Sequence, residues 1–468
     1  MSKATQRRQI VAREMEGLEL GDPRRARRAI EIAERFAAEP EASLPAAMLD
    51  RAMLEGLYRH LASDSVTFAA LLEPHIAKTA TRAAGVGDIL AVHDTTVCKF
   101  GGGARRDGLG TVNLSDQGFL AHVTLAVVAD GSRLPLGVLA AELLVRGKRK
   151  DTRRRSAAVR MREEGKESAR WARGVRAASS RIADPSKVIH VADREGDIYP
   201  LLAELRASGA RFIIRSAQDR VVDVGDLRSH LRQVSREAPT RYTIDAPLSR
   251  RSKVKWLRYP HAPRDARVAT LSVATAAVQL RRPQWNPKSE PETVPVHLVH
   301  VFELGPPPGE TPVEWLLLTS EAIHTREDVE RIIEGYRARW TVEEYFKAVK
   351  TGCAYEARQL ESFRTLSNLL AYTLVIAYAL LLMRSLTRLE RKLPATELLS
   401  ETEIQVLRLA TKRQLSKSPD VREAMLAIAA LGGHLPSNGQ PGWRILSRGW
   451  QRLRDYEAGF LMARTCDR

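Results

Sequence analysis

The stretch Tyr336–Lys350 reads YRARWTVEEYFKAVK, and the other motifs of the chain are interpreted outward from it. It contains no Gly or Pro, and its Glu, Lys, Arg, Ala and Phe residues suit a helix interior, so it predicts one continuous helix. At about 100° per residue, one face of that helix carries Tyr336, Arg339, Glu343, Lys347 and Lys350. Glu344 lies about 100° away from Glu343 and points elsewhere.

This helix face combines a carboxylate with a phenol, a guanidinium and two ammonium groups. Such a set can hold a phosphodiester, with the carboxylate on a metal ion and the cations on phosphate oxygens. A solvated helix with i,i+4 ion pairs, such as Glu343 with Lys347, is the plainer interpretation of the stretch taken alone. The stretch alone therefore favours a solvated helix, and the other motifs of the chain are needed to distinguish it from a phosphodiester-binding face.

The composition favours a globular protein that binds a polyanion. The chain has 468 residues, which is enough for several domains, and a formal net charge of +18. Nucleic acid is the first candidate partner, although ribosomal and membrane-surface proteins share such a charge. The three cysteines are far apart, and the sequence has no CxxC pair and no Cys/His zinc spacing. We therefore expect no disulfide framework and no structural zinc, and a reduced cytosolic compartment.

Two stretches bear on membrane association. The N-terminal sequence lacks the apolar core of a signal peptide. Thr365–Met383 carries no charge and is long enough to be mistaken for a membrane span. Because polar residues interrupt it and basic residues flank it, we expect a buried core helix. The expected location is the bacterial cytoplasm, in association with the nucleoid and not with a membrane.

The N-terminal region predicts helices with a basic entry. Asp22 suits an N-cap, Pro23 suits the first helical position, and a second helix is expected from Pro45 to Leu61. Positive charge is unfavourable at a helix start, so an anionic partner such as phosphate would explain the arginines there; a solvated basic end is equally open. The arginines proposed to contact DNA are Arg24, Arg25 and Arg28.

The middle of the chain predicts a mixed α/β core. Apolar runs predict strands at Ile89–Val92, Phe119–Val128, Leu134–Leu144, Lys187–Ala192 and Arg211–Arg215, in the order β-β-β-α-β-α-β. From about residue 216 to 320, alternating and apolar runs rich in β-branched residues predict an all-β insertion. The basic segment 146–181 suggests contact with a nucleic-acid backbone, against the alternative of a solvated loop.

Two aspartates stand at the ends of predicted strands. Asp94 ends the first strand and Asp193 directly follows the fourth, and in α/β sheets sites form where neighbouring strands end. If Glu343 joined them, three carboxylates would repel each other unless a cation lay between them. Mg²⁺ or Mn²⁺ suits carboxylate oxygens, and two such ions can drive cleavage of a phosphodiester. A lone Asp after a strand is more often a turn residue, and Glu195 and Asp197 compete with Asp193.

These motifs together resemble the DDE transposases of bacterial insertion sequences that carry the YREK signature. The resemblance rests on Asp94-Thr95-Thr96, on Asp193-Arg194-Glu195-Gly196-Asp197 and on Tyr336-x2-Arg339-x3-Glu343-x6-Lys350. It extends to Leu20–Arg25, Gly309–Glu321 and Leu431–Gly433, and so covers nearly the whole chain. The region from Gly101 to Arg155 does not match closely.

The resemblance implies a ribonuclease H-like α/β catalytic core at 71–385 that contains the all-β insertion. A helical DNA-binding domain at 1–70 and a helical dimerisation domain at 386–468 would flank it. Asp94, Asp193 and Glu343 would bind two Mg²⁺ ions, with Mn²⁺ able to substitute. Tyr336, Arg339 and Lys350 would hold a phosphate, with Lys347 on the same face and Arg215 also gripping DNA. Trp315 would stack a flipped base during hairpin formation.

The implied activity is cut-and-paste transposition: nicking of double-stranded DNA at terminal inverted repeats, hairpin formation and opening, and strand transfer into target DNA. A homodimer would pair the two ends. Two other functions stay open at this point. One is a catalytically inactive, transposase-derived DNA-binding inhibitor, and the other is a metal-dependent nuclease that never joins strands.

Overall fold

The computed structural model describes residues 10–101, 105–113, 116–146, 167–248, 263–386, 394–397, 399–411, 414–435, 437 and 441–466. Most of the basic segment expected to contact nucleic acid, residues 147–166, lies outside this described part. The basic loop at 249–262 and two glycines of the Gly101–Gly103 run lie outside it too. What is described of segment 146–181 includes a helix at Arg170–Ser179.

The described residues form twelve strands, numbered in chain order. They are β1 (Ile89–Phe100), β2 (Gly110–Thr111), β3 (Gln117–Val128), β4 (Pro135–Leu144), β5 (Val188–Ala192), β6 (Arg211–Arg215), β7 (Val221–Val224), β8 (Leu227–His230), β9 (Thr240–Leu248), β10 (Arg267–Arg281), β11 (Thr293–Glu303) and β12 (Glu314–Thr319).

The α-helices are numbered in the same way. They are α1 (Pro23–Ala38), α2 (Leu44–Met48), α3 (Arg51–Ala62), α4 (Phe68–Ala84), α5 (Arg170–Ser179), α6 (Tyr199–Ala207), α7 (Leu231–Glu237), α8 (Arg326–Arg337), α9 (Trp340–Lys347), α10 (Phe363–Leu386), α11 (Glu401–Ala410), α12 (Val421–Leu431) and α13 (Trp443–Cys466).

The chain divides into two compact units, each built from separate stretches of sequence. The helical unit comprises the described residues within Met1–Gly87, Thr95–Lys150 and Trp340–Arg468. The sheet unit comprises those within Asp88–Asp94 and Asp151–Arg339. Strand β1 contributes residues 89–94 to the sheet unit and residues 95–100 to the helical unit.

The sheet unit is a mixed sheet. Residues 89–92 of β1 pair in parallel with β5, and β5 pairs in parallel with β6. Strand β12 pairs antiparallel with β6, and the order continues through β11, β10, β7 and β8, with β9 also on β10. The segment 216–320 therefore extends the same sheet as the parallel strands, which gives the mixed α/β fold expected from the sequence.

The expectation that segment 216–320 is all β is wrong in one place. Helix α7 lies within it, and its buried residues Leu231, Val234 and Ser235 recur at helical spacing. The strand alternation on either side concealed this short helix, because seven residues give only two turns of the helical pattern.

Each face of the parallel strands is covered by helices of the same unit. On one face, helices α5 and α6 pack against the strands and share a buried core with them. This core includes Trp171, Leu202, Leu205, Phe212 and Ile214. On the other face α8 approaches closely at Gly335, where a Cβ would lie 2.9 Å from the Ile213 Cδ1 atom. The absence of a side chain at Gly335 thus lets α8 pack directly on β6 and β1.

The helical unit is organised around α10. By length and composition alone, this helix is the one among the described residues that could cross a membrane, but 89% of its most apolar window is buried inside the protein. It packs against α4, α3 and β4, and the Tyr372 hydroxyl lies 2.8 Å from the His60 Nε2 atom. Further along the chain, α11, α12 and α13 share a core that includes Leu407, Ile428 and Trp450.

Three helix and strand bounds differ from the sequence expectation. The stretch Tyr336–Lys350 is not one helix: α8 ends at Arg337, α9 begins at Trp340, and a π-helical turn follows at Ala348–Gly352. Helical propensity could not reveal this break, because it lies next to Arg339, whose side chain is buried by tertiary contacts. The helix expected from Pro45 to Leu61 is likewise divided, at Leu49, which has a φ of 67°.

Strand β1 is longer than expected. It continues to Phe100, so Asp94 lies within the strand and not at its end. The β-branched residues Thr95, Thr96 and Val97 favour this continuation. The pairing with β5 nevertheless stops at Val92, so Asp94 lies two residues beyond the shared part of the two parallel strands. At the N-terminus, Asp22 caps α1 and Pro23 opens it, as predicted.

Candidate active site

The register of β1 and β5 places Asp94 and Asp193 at equivalent positions. Ile89 is opposite Val188 and Val92 is opposite Val191, so paired residues differ by 188 − 89 = 99 in number. The two aspartates differ by the same amount, 193 − 94 = 99, and lie two residues past the last pair. Adjacent strands are about 4.8 Å apart, and registered residues of parallel strands point to the same face. Both carboxylates therefore lie at one end of the parallel strands, on one face.

Asp94 and Asp193 form a row across two strands, and Arg215 continues this row on the next strand, β6. Ile189 of β5 is opposite Arg211 of β6, an offset of 22, and 193 + 22 = 215. Arg215 is itself opposite Leu317 of β12. Trp315 lies two residues from Leu317, and so on the same face of the sheet. The sheet thus presents two carboxylates, a guanidinium and an indole in adjoining positions.

The end of α8 contacts this row. The Arg339 Nη1 atom lies 3.8 Å from the Asp94 Oδ2 atom, and both side chains are more than 80% buried. The Trp315 and Tyr336 rings meet edge to face, with centroids 5.5 Å apart, and the Arg339 guanidinium is 5.9 Å from the Tyr336 ring centroid. The Arg215 guanidinium donates to the Glu314 carbonyl at 2.8 Å. Within the sheet unit, six of the residues expected from the sequence therefore come together.

The two acidic residues that compete with Asp193 are engaged in the surrounding structure. The Asp197 carboxylate is fully buried and accepts from the Arg220 Nε atom at 2.8 Å and from the Ala217 N–H at 2.7 Å. The Glu195 carboxylate lies 2.7 Å from the Arg170 guanidinium. Asp193 is half-buried, and one of its carboxylate oxygens accepts the Glu195 N–H at 2.8 Å, which closes a 3₁₀ turn at Arg194–Gly196.

A buried histidine pair lies on the opposite face of the same strands, and sequence reasoning missed it. The His93 Nε2 atom is 2.9 Å from the His190 Nδ1 atom, and the His190 Nε2 atom is 3.1 Å from the Ser179 hydroxyl. Burial lowers the pKa of His190 to about 4. The strict alternation of side chains along a strand was the available signal: His93 adjoins Asp94 and therefore points away from it.

The remaining residues expected from the stretch Tyr336–Lys350 lie in the helical unit. Glu343 is half-buried in the first turn of α9, and its neighbour Glu344 lies 3.5 Å from the Arg384 guanidinium. Lys347 ends α9 and is exposed. Lys350 lies in the π-helical turn, where its ammonium donates to the Val97 carbonyl at 2.7 Å. The break before Trp340 thus divides the residues expected from this stretch, with Tyr336 and Arg339 in one unit and the other three residues in the other.

The donor set in the sheet unit fits a hard divalent cation. Asp94 and Asp193 offer carboxylate oxygens on one face, while the imidazoles of His93 and His190 lie on the other. Oxygen donors without imidazole or thiolate favour Mg²⁺ or Mn²⁺ over zinc. Among the described residues, no group of three or more His, Cys, Asp or Glu side chains is arranged to hold a metal ion.

The N-terminal arginines differ in their exposure. Arg24 is exposed, and its backbone N–H is capped by the Asp22 carboxylate at 2.8 Å. Arg25 donates to the Leu20 carbonyl. Arg28 lies against α3, with its Nη1 atom 3.8 Å from the Met53 sulfur. Arg24 and Arg28 are both exposed, whereas Arg25 is half-buried, so the first two are the more accessible to a solvent-borne anion.

Comparison with known proteins connects these features to two domain families. Residues 7–66 match the family model described as transposase DNA-binding, and residues 171–380 match the one described as transposase DDE domain. The first range contains the three N-terminal arginines. The second contains Asp193, Glu343 and the basic and aromatic residues from Arg215 to Lys350, while Asp94 precedes it.

Among solved structures, the chain is similar to a piggyBac transposase in a synaptic complex with hairpin DNA. The sequence identity is 9% and the TM-score 0.33; the match covers 78% of this chain and 66% of that chain, slightly less than two thirds of its length. A likeness of this degree carries no argument about function. The two family matches bear on function more directly, since residues 7–66 are similar to transposase DNA-binding domains and residues 171–380 to transposase DDE domains.

Proposed function

We propose that this protein is a DNA transposase that moves its element by a cut-and-paste route: end nicking, hairpin formation and opening, and strand transfer. The two domain matches support DNA binding and DDE-type chemistry. The observation that carries the proposal is the register of β1, β5 and β6, which, continued past the last paired residues, brings Asp94, Asp193 and Arg215 to neighbouring positions. The proposal includes a ribonuclease H-like core. It also draws on the resemblance to the cut-and-paste transposase of the composite kanamycin-resistance transposon.

In this proposal Asp94, Asp193 and Glu343 hold one or two divalent ions, Mg²⁺ or Mn²⁺. When bound, such ions supply Lewis-acid activation of a water or a 3′-hydroxyl and stabilise the leaving oxygen. The protein's own groups bind and orient the DNA. Arg339, fixed against Asp94, and Arg215, fixed by a backbone carbonyl, present guanidinium groups suited to phosphate oxygens.

Trp315 is proposed to stack the base that leaves the helix when the transposon end forms a hairpin. Its indole is only partly buried, and it meets the Tyr336 ring edge to face. An aromatic surface of this kind supports an unpaired base by roughly 1–3 kcal/mol. Tyr336 therefore positions Trp315 as well as flanking Arg339.

Substrate and assembly follow from the same proposal. The phosphates of the terminal inverted repeats would be contacted by Arg24, Arg25 and Arg28. The phosphates beside the cut would be contacted by Lys347 and Lys350. Two DNA ends would be paired by a homodimer through the C-terminal helices. The protein would act in the bacterial cytoplasm on nucleoid DNA.

The test is cleavage of DNA carrying the inverted repeats that flank the gene, in the presence of Mg²⁺ or Mn²⁺. Asp193→Asn and Glu343→Gln should bind the DNA and fail to cut it. Glu195→Gln and Glu344→Gln are matched controls, since each removes a neighbouring carboxylate that pairs with an arginine, and both should cut. Retained cutting by Asp193→Asn or Glu343→Gln would remove that residue from the proposed triad.

The same experiment separates the alternative functions. Wild-type protein that binds the repeats and never cuts them would be a DNA-binding inhibitor. Protein that cuts the repeats and never joins the freed 3′ ends to a target plasmid would be a nuclease. Hairpin ends on the excised fragment, followed by joined products, would support transposition.

A further inference from the structure

Lys350 already has an anionic partner in this structure. Its Nζ atom donates to the Val97 carbonyl at 2.7 Å and lies 3.3 Å from the Glu356 Oε1 atom, all within the helical unit. Lys350 and Glu356 have side-chain exposures of 27% and 29%. The residue lies in the π-helical turn Ala348–Gly352, an irregularity that often marks functional sites.

The Glu356 carboxylate is also held by the backbone. Its Oε1 atom also accepts the Lys99 backbone N–H at 2.9 Å. Glu356 belongs to the 3₁₀ turn Tyr355–Ala357, where the buried Tyr355 hydroxyl donates to the Leu366 carbonyl at 2.7 Å. A fixed backbone donor and a fixed turn therefore keep this carboxylate beside Lys350.

Lys347 offers a contrast three residues earlier. It is exposed, and its side-chain ammonium forms no hydrogen bond or ion pair with the residues that the structure describes. A phosphate could contact its ammonium without displacing any of those groups. At Lys350, a phosphate has to compete with a carboxylate for the same charge.

We propose that Glu356 is an internal competitor of DNA at Lys350. In the absence of nucleic acid, the Glu356 carboxylate pairs with the Lys350 ammonium. When DNA binds, a phosphate of the DNA backbone replaces the carboxylate as the partner of the ammonium, while the Val97 carbonyl continues to accept a hydrogen bond from it. The exchange is feasible because a partly exposed ion pair is weak and phosphate is also an oxyanion. The inference rests on the proposed function, since it takes DNA as the ligand of Lys350.

The test is a double-mutant cycle on binding of a fluorescent duplex that carries the terminal inverted repeat, measured by anisotropy without divalent metal so that no cleavage intervenes. Glu356→Gln keeps the size of the side chain and removes its charge. We expect it to tighten binding by about two- to fivefold, the range that a partly exposed ion pair provides. In a Lys350→Met background the same change should have no effect.

Glu361→Gln is the matched control, because it removes an exposed carboxylate five residues further along the chain. It should change binding less than Glu356→Gln and equally in both backgrounds. Tightening by Glu356→Gln that persists in Lys350→Met would reveal a general charge effect and overturn the proposal. Weaker binding would mean that Glu356 positions Lys350 for DNA, and unchanged binding would mean that it has no role; both overturn it as well.

Failure of this inference differs from failure of the proposed function. If the wild-type protein neither binds nor cuts the repeat, the proposed function is wrong. If it binds and cuts the repeat but the cycle shows no coupling between Glu356 and Lys350, only the competition is wrong. Thermal unfolding of each variant establishes that the changes in binding do not come from loss of folded protein.

Discussion

Replacing Asp197 with Asn should separate a structural role from a catalytic one, because Asp193 lies only four residues away. The Asp197 carboxylate is fully buried and faces Arg220, whose side chain is 5% exposed. It accepts from the Arg220 Nε atom at 2.8 Å, the Ala217 N–H at 2.7 Å and the Ser216 hydroxyl at 2.9 Å. The change would leave a buried guanidinium without a negative partner.

The expected loss is large for Asp197 and small for Asp193. Breaking a buried ion pair from one side costs about 3–5 kcal/mol, and Asn retains one acceptor oxygen, so we expect about 3 kcal/mol. That is a large part of the roughly 5–15 kcal/mol that stabilises a typical domain. Asp193 is half-buried, and an Asn oxygen can still accept the Glu195 N–H, so Asp193→Asn should cost about 0.5 kcal/mol or less.

The assay is urea unfolding of both variants, followed by tryptophan fluorescence and circular dichroism, with DNA cleavage measured in parallel. Because the chain has two units, each transition is compared with the wild type separately and not fitted as one two-state curve. Asp197→Leu combined with Arg220→Met should be more stable than Asp197→Leu alone, since it removes both charges. The reasoning is refuted if Asp197→Asn is no less stable than Asp193→Asn, or if the double variant is the least stable.

Three further predictions concern other residues. Trp315→Ala should slow hairpin formation by at least about fivefold more than it slows the first nick, because the base loses about 1–3 kcal/mol of stacking; a Trp315→Phe control should retain most of the rate, and equal slowing of both steps by Trp315→Ala would contradict the role. Arg24→Gln should weaken DNA binding at every sequence and lower the salt slope by about one, measured by titration between 50 and 200 mM salt; a loss confined to the cognate repeat would argue for base contact instead. Burial and the nearby charges of Arg25 and Arg28 lower the pKa of His60 to about 4, below its ordinary value of 6.5. Because the unfolded chain takes up a proton at His60 more readily than the folded protein does, the free energy of unfolding should decrease by about 3 kcal/mol at most as the pH falls from about 6.5 to about 4. His60→Gln should reduce the dependence of the urea midpoint on pH in this range. An unchanged dependence would exclude His60 as its source.

The mixed α/β fold was accessible from the sequence, because apolar, β-branched runs predict buried strands whichever strands they pair with. The run before Asp193 is an example: the strand expected at Lys187–Ala192 is observed as Val188–Ala192. What the sequence could not provide was the pairing of β6 with β12. The alternation of apolar and polar residues along a strand does not reveal a partner strand about 100 residues away. The sequence therefore predicts segment 216–320 as a separate insertion.

The candidate site shows the same limit. Asp94 and Asp193 are predicted from their positions near strand ends, and Arg215 from the family resemblance, but neither argument reveals that the strand registers bring the three residues to neighbouring positions. The break between α8 and α9 was missed because the local sequence favours a helix throughout. The Asp94 contact of Arg339 and its burial beside Tyr336 are tertiary contacts, which override local propensity.

The register of β1 and β5 has a consequence for how such chains can vary in length. The spacing of 99 in residue number between Asp94 and Asp193 is not itself required: residues added or removed between β4 and α5 would change that number and leave the two strands aligned. A single residue inserted inside β5, between Val188 and Asp193, would instead turn Asp193 towards the face where His93 and His190 meet. Relatives of this chain should therefore differ freely in the spacing of their two aspartates, and a search pattern based on strand pairing should find members that a fixed-spacing motif overlooks.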